Sequence, residues 1–213
     1  MAYNSYRPSQ SSTPVVLNLI IINAIVFVAQ LVFDKTGLDV TGGTGLGWLT
    51  SRIGLWGIGT GLFEPYQLVT HMFAHGGFFH ILFNMYALWL FGSSLERLWG
   101  PKRFLIFYLL CGLAAGVTEM FLVPVVIAVG ASGAIMGLVA AFAYTFPNVQ
   151  FYILPIPFPI KAKYLAMIYA AFDLFGQFSG FGGNVAHFAH LGGVLFGFIL
   201  VKTMNKNNRR NFY

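Results

Sequence analysis

The chain has 213 residues, of which 57% are hydrophobic and only 8% charged. Soluble domains carry about 25% charged residues, so an ordinary water-soluble enzyme is excluded. The net charge of +6 would suit nucleic acid, but the basic residues are scattered between apolar runs and form no face of their own.

Those runs are about 20 residues long and solidly apolar, which favours membrane-spanning helices over an alternating β-barrel. Six spans are expected, at residues 15–33, 79–98, 104–126, 131–146, 160–178 and 185–204. The first follows a polar segment, is long for a signal peptide and has no Ala-x-Ala site after it, so it is expected to remain as an anchor. Residues 34–70 then form one large outer loop. It is rich in glycine (Gly42, Gly43, Gly45) yet keeps Trp48, Leu55, Trp56, Leu62 and Phe63, a mixture that predicts short interfacial helices half-embedded in the outer leaflet. Cys111, the single cysteine, falls in the third span and excludes an intramolecular disulfide. Pro155, Pro157 and Pro159 mark the inner loop before the fifth span, where helix cannot continue.

With the N-terminus inside, ten of the 12 Lys and Arg fall on the inner side, and only Lys35 and Arg52 outside. This positive-inside bias places both termini in the cytoplasm and assigns the basic residues to lipid headgroups. The expected organisation is a short tail at 1–14, one all-α six-helix membrane domain at 15–204, and a second tail at 205–213.

Chemistry concentrates in few positions. Ser132 sits in Gly130-Ala131-Ser132-Gly133 at the start of the fourth span, where first-turn N–H groups and the helix dipole favour negative charge. Gly133 and Gly137 make a Gly-xxx-Gly face, and Gly193 and Gly197 make another one turn from His190 in the sixth span. Two such faces allow the fourth and sixth helices to approach until hydroxyl and imidazole meet, a nucleophile and its general base. Taking Asn184 as the start of the sixth span, His190 lies about 9 Å below that end. His187 is the rival imidazole, nearer the surface and off the glycine stripe. His80 and Asn84, four apart, share one face of the second span and offer donors to an oxyanion. His71 and His75 form a His-x-x-x-His pair, but no Glu follows His71 and no third ligand is evident, so no metal is expected. Glu119 and Asp173 read as buried helix-bonding partners, which leaves a Ser–His dyad without a carboxylate.

Taken together, these residues resemble the rhomboid family of intramembrane serine proteases. The likeness covers six spans, the large first outer loop, His80-x-x-x-Asn84, Gly-x-Ser-Gly at Ser132, His190-x-x-Gly193-x-x-x-Gly197, and Glu96-Arg97 with Gly100 after the second span. It implies Ser132 as nucleophile, His190 as base and then acid, and His80, Asn84 and the Ser132 backbone N–H as oxyanion donors. It also implies transmembrane protein substrates entering laterally past the fifth span, cleavage near small residues, and no cofactor. Two positions depart from the pattern. Tyr66-Gln67 stand where many members have Trp-Arg, which bears on how the outer loop is held. Met136 stands where an aromatic packs on the catalytic imidazole, and its thioether orients less rigidly.

Two other classes compete: a catalytically inactive rhomboid-like protein that binds transmembrane clients, and a small transporter using intramembrane His and Asn as a proton path. The first usually lacks the serine or histidine that this chain keeps. The second usually shows paired broken helices, and none is evident. The short tails lean towards a bacterial plasma membrane.

Overall fold

Helix α1 (Pro14–Phe33) opens with proline in its first turn, where a missing N–H costs nothing. The next two N–H groups, of Val15 and Val16, donate to the carboxylate of Glu96 at 3.0 and 2.9 Å, so the helix start is capped from 80 residues downstream. The protein is seen here as a computed structural model that describes residues 13–36, 46–123, 127–152, 158–179 and 186–208, without the side chains of 173, 176–179 and 205–208. The predicted tails and the segment Gly42 to Gly45 fall largely outside them, as do Pro155, Pro157 and Asn184.

The outer loop is built of short elements: a turn at Asp34–Thr36, α2 (Trp48–Ile53), β1 (Leu55–Trp56), a turn at Ile58–Thr60 and α3 (Gln67–Thr70). Side chains fasten it. Asp34 accepts the N–H groups of Leu49 and Thr50 at 2.7 and 3.1 Å and so caps α2. Gln30 of α1 pairs through its carboxamide with both backbone groups of His75, at 2.9 and 3.2 Å.

Helix α4 (Phe78–Ala87) passes through a wide turn at Leu88–Gly92 into α5 (Ser93–Trp99), and the three form one apolar crossing. Gly100, with φ at +80°, stops that run, and Pro101 starts α6 (Pro101–Leu122). Strand β2 (Ile127–Ala128) pairs antiparallel with β1 and stitches the outer loop to the chain just before α7 (Ser132–Thr145). Strands β3 (Gln150–Phe151) and β4 (Ile160–Lys161) pair antiparallel before α8 (Ala162–Ser179), and α9 (His187–Asn208) is the last described element.

Four helical crossings, Pro14–Phe33, Phe78–Trp99, Pro101–Leu122 and His187–Met204, are long and apolar enough to span a membrane. Two shorter apolar stretches, Ser132–Thr145 and Ala162–Phe172, bring the set into line with the six spans expected. The chain is an all-α membrane protein. The third span ends at Leu122, before the predicted 126. The sixth continues four residues past Met204, since Asn and Lys tolerate helix where it emerges into water.

Helix α7 is the centre. Eleven of its 14 residues are buried, so protein and not lipid surrounds it. At about 21 Å it falls about 9 Å short of a hydrocarbon core of about 30 Å. Its partners come very close. A methyl on Gly197 would stand 2.5 Å from the Cα of Gly137, and one on Gly193 would collide with the carbonyl oxygen of Gly133. Only glycine permits such backbone contact.

Candidate active site

The chain reaches α7 through Gly130, whose φ of +126° lies where L side chains are strained. Its N–H donates to the carbonyl of His71 at 2.9 Å, so the outer loop holds the turn as well as the strand before it. Ser132 is then the first residue of α7, half-buried, with first-turn N–H groups that have no intrahelical acceptor.

His190 lies in the first turn of α9 (His187–Asn208), and Asn184, expected to open that span, lies outside the described residues. Nε2 of His190 is 2.7 Å from Oγ of Ser132. For the hydroxyl to donate, Nε2 must be the unprotonated nitrogen of the ring.

His80 of α4 accepts the Gly76 N–H on Nδ1 at 3.3 Å, which in a neutral ring leaves the proton on Nε2. A methyl on Gly130 would stand 2.8 Å from that Nε2 and 3.6 Å from Oγ of Ser132, so both polar atoms flank one point. Asn84 is buried and spends one amide N–H on its own helix, on the carbonyl of His80 at 3.0 Å. It has a second N–H to give. The space beside Ser132 is lined by His71, Gly116, Ala128, Gly130, Ala186 and Ala189 among others.

His71 and His75 are committed elsewhere. Nδ1 of His71 donates to the carbonyl of Gln67 at 2.8 Å, and Nδ1 of His75 to that of Phe73 at 3.3 Å. Burial pushes His71 down to about 4. Burial, and then the neighbouring His80, bring His75 to about 4 as well, so both rings are neutral at pH 7. Among the described residues no group of three or more His, Cys, Asp or Glu is arranged to hold a metal.

Sequence reasoning underrated Gln67. Only 2% exposed, its carboxamide accepts the N–H groups of Trp56 and Glu64 at 3.4 and 3.1 Å and donates to the carbonyls of Arg52 and Leu62, both at 3.4 Å. It ties the loop at the position where the resembling proteins carry arginine. Glu119 bonds a helix, as expected: its carboxylate accepts the Ala189 N–H at 2.9 Å. Met136 is buried one turn after Ser132. The side chain of Asp173 lies outside the described residues.

A hydroxyl bonded to an imidazole, at the starts of two glycine-packed helices in an apolar bundle, marks a class of helical membrane protein, and such a pair has the chemistry of a nucleophile and its base. A family model described as "Rhomboid domain" matches residues 62–207, and the chain belongs to the rhomboid family. It is 30% identical over 154 residues to Rhomboid protein 1, mitochondrial, of Saccharomyces cerevisiae, covering 68% of this chain and 44% of that one. To Rhomboid protease GluP of Bacillus subtilis it is 40% identical over 81 residues, 38% of this chain and 16% of that one. To the Presenilin-associated rhomboid-like protein, mitochondrial, of Bos taurus it is 36% identical over 145 residues, 64% and 37% of the two chains. The chain spans less than half the length of each of these relatives. With mitochondrial and Bacillus proteins both among them, the comparisons do not select the bacterial plasma membrane expected above.

Proposed function

We propose that the protein is an intramembrane serine endopeptidase that cleaves transmembrane protein substrates through a Ser132–His190 dyad. The observation that carries this reading is the 2.7 Å contact between Oγ of Ser132 and Nε2 of His190. In the proposed cycle Oγ attacks the scissile carbonyl carbon while its proton passes to Nε2. The oxyanion forms near Nε2–H of His80, the amide of Asn84 and the backbone N–H of Ser132, donors whose loss typically costs about 10²- to 10³-fold in rate. His190 then gives its proton to the leaving amine, the acyl-enzyme remains on Ser132, and a water deprotonated by His190 hydrolyses it. No cofactor takes part. Water reaches the dyad through the space beside Ser132, and a substrate helix approaches from the lipid.

The test is labelling by a fluorophosphonate probe in detergent, wild type beside Ser132→Ala and His190→Ala. Labelling of the wild type that is lost in both folded variants supports the dyad. A folded wild type that does not label, or a Ser132→Ala variant that labels equally, refutes it and leaves client binding as the better account.

A further inference from the structure

The proposed chemistry gives Glu119 no task, yet its placement is costly. It lies on α6, inside a membrane-crossing helix, and is 6% exposed. A carboxylate in such a place needs hydrogen bonds or opposite charge to be tolerated. Both come from α9. Its Oε2 accepts the N–H of Ala189 at 2.9 Å, within the positive first turn of that helix. Ionised, it would also favour positive charge on the imidazoles of His190 and His187.

The contact is one of a pair. Thr118, the preceding residue of α6, packs so close to Gly192 that a methyl there would stand 2.5 Å from its Oγ1. Helix α6 therefore grips α9 at residues 189 and 192, on either side of His190 in sequence. Gly193 rests meanwhile on the backbone of Gly133 in α7. His190 stands where three helices meet, with the Ser132 hydroxyl offered by α7 and a carboxylate brought in by α6.

We propose that Glu119 is a positioning residue of the dyad, fixing the first turn of α9 and supplying the negative charge that offsets the imidazolium formed when His190 takes the serine proton. This rests on the serine-protease reading above. Glu119 exchanges no proton in it: the proton leaves Oγ of Ser132, resides on Nε2 of His190 and departs with the leaving amine. Among the described residues, Ser132 of α7 bonds His190, and His80 of α4 and Glu119 of α6 interact with it electrostatically. Of these three, the carboxylate is the one whose charge favours the cation.

Glu119→Gln separates the two contributions, because the carboxamide oxygen still accepts the Ala189 N–H while the charge is gone. The measurement is the rate of fluorophosphonate labelling against pH in detergent, with thermal unfolding of the same samples. Without the charge the imidazolium is less favoured, so His190 is a weaker base and loses its proton at lower pH. The expected result is an about tenfold lower plateau rate and an acid limb moved to lower pH, at unchanged unfolding temperature. Glu119→Asp, which keeps the charge, should restore the position of the limb. A Glu119→Gln protein with the wild-type rate and profile overturns the proposal. So does one whose rate falls only with its stability while the limb stays in place. Failure of the wild type to label marks instead the failure of the protease reading.

Discussion

Adding one methyl group at Gly193 should disable the site without touching any polar atom. The new Cβ would stand 2.9 Å from the carbonyl carbon of Gly133, with the carbonyl oxygen nearer still. Carbon atoms pack at about 3.5 to 4.0 Å, so clearing the carbonyl carbon alone parts α7 and α9 by about 0.6 to 1 Å at this level, and clearing the oxygen requires more. Neither side can yield by a rotamer change, since both are backbone. Gly193 is one turn from His190 and Gly133 is next to Ser132, so most of that displacement appears in the Ser–His contact. Starting from 2.7 Å, the contact would open to about 3.5 Å, beyond useful hydrogen bonding. A misplacement of about 1 Å costs about 10²-fold in rate, and overpacking costs about 1 to 3 kcal/mol in stability. The assay is the labelling rate of Gly193→Ala beside its unfolding temperature. Gly77→Ala is the control, since a methyl there meets nothing within 4 Å. A Gly193→Ala protein that labels at the wild-type rate would refute the claim that backbone contact between α7 and α9 sets the dyad distance.

Three further outcomes are expected. Gln67→Ala orphans the buried N–H of Trp56 and leaves the part-buried N–H of Glu64 to water, and should cost about 1 to 3 kcal/mol in thermal unfolding, whereas an unchanged midpoint would mean that the loop is held by other means. His71 and His75 each stand at about 4 in the fold against an ordinary 6.5, so between those values the unfolded chain binds more protons. Stability should be full above about pH 6.5 and fall as pH drops towards about 4, and an unfolding temperature that stays flat across that window would contradict this. Asn84→Ala should slow the proposed cleavage about 10²- to 10³-fold, and a loss as complete as that of Ser132→Ala would show that Asn84 does more than donate one bond.

The crossings were legible because hydropathy over about 20 residues is a local signal, and the glycine pairs because they recur at one helical turn. Their spacing anticipated that the fourth and sixth helices would approach closely enough for Ser132 and His190 to meet, and the structure pairs Gly133 with Gly193 and Gly137 with Gly197. Other features rest on side chains that bond backbone far away in sequence. Glu96 caps α1 from the far end of the second crossing, Gln30 pairs with His75, Gln67 gathers four loop groups, and Glu119 reaches α9 across 70 residues. No periodicity announces such partners. The described part of α9 begins at His187, while Asn184 and Val185, where the apolar run opens, lie outside the described residues.

The cap that Glu96 places on α1 has a consequence for assembly. When the first crossing emerges during synthesis, the N–H groups of Val15 and Val16 have only water to bond. Their carboxylate partner is made 80 residues later. Helix α1 therefore enters the membrane as a provisional element, free to tilt or slide, and is locked in register only when the second crossing has been completed. Glu96 acts as a checkpoint in the order of construction, and its loss should show first as slow or misregistered insertion of α1.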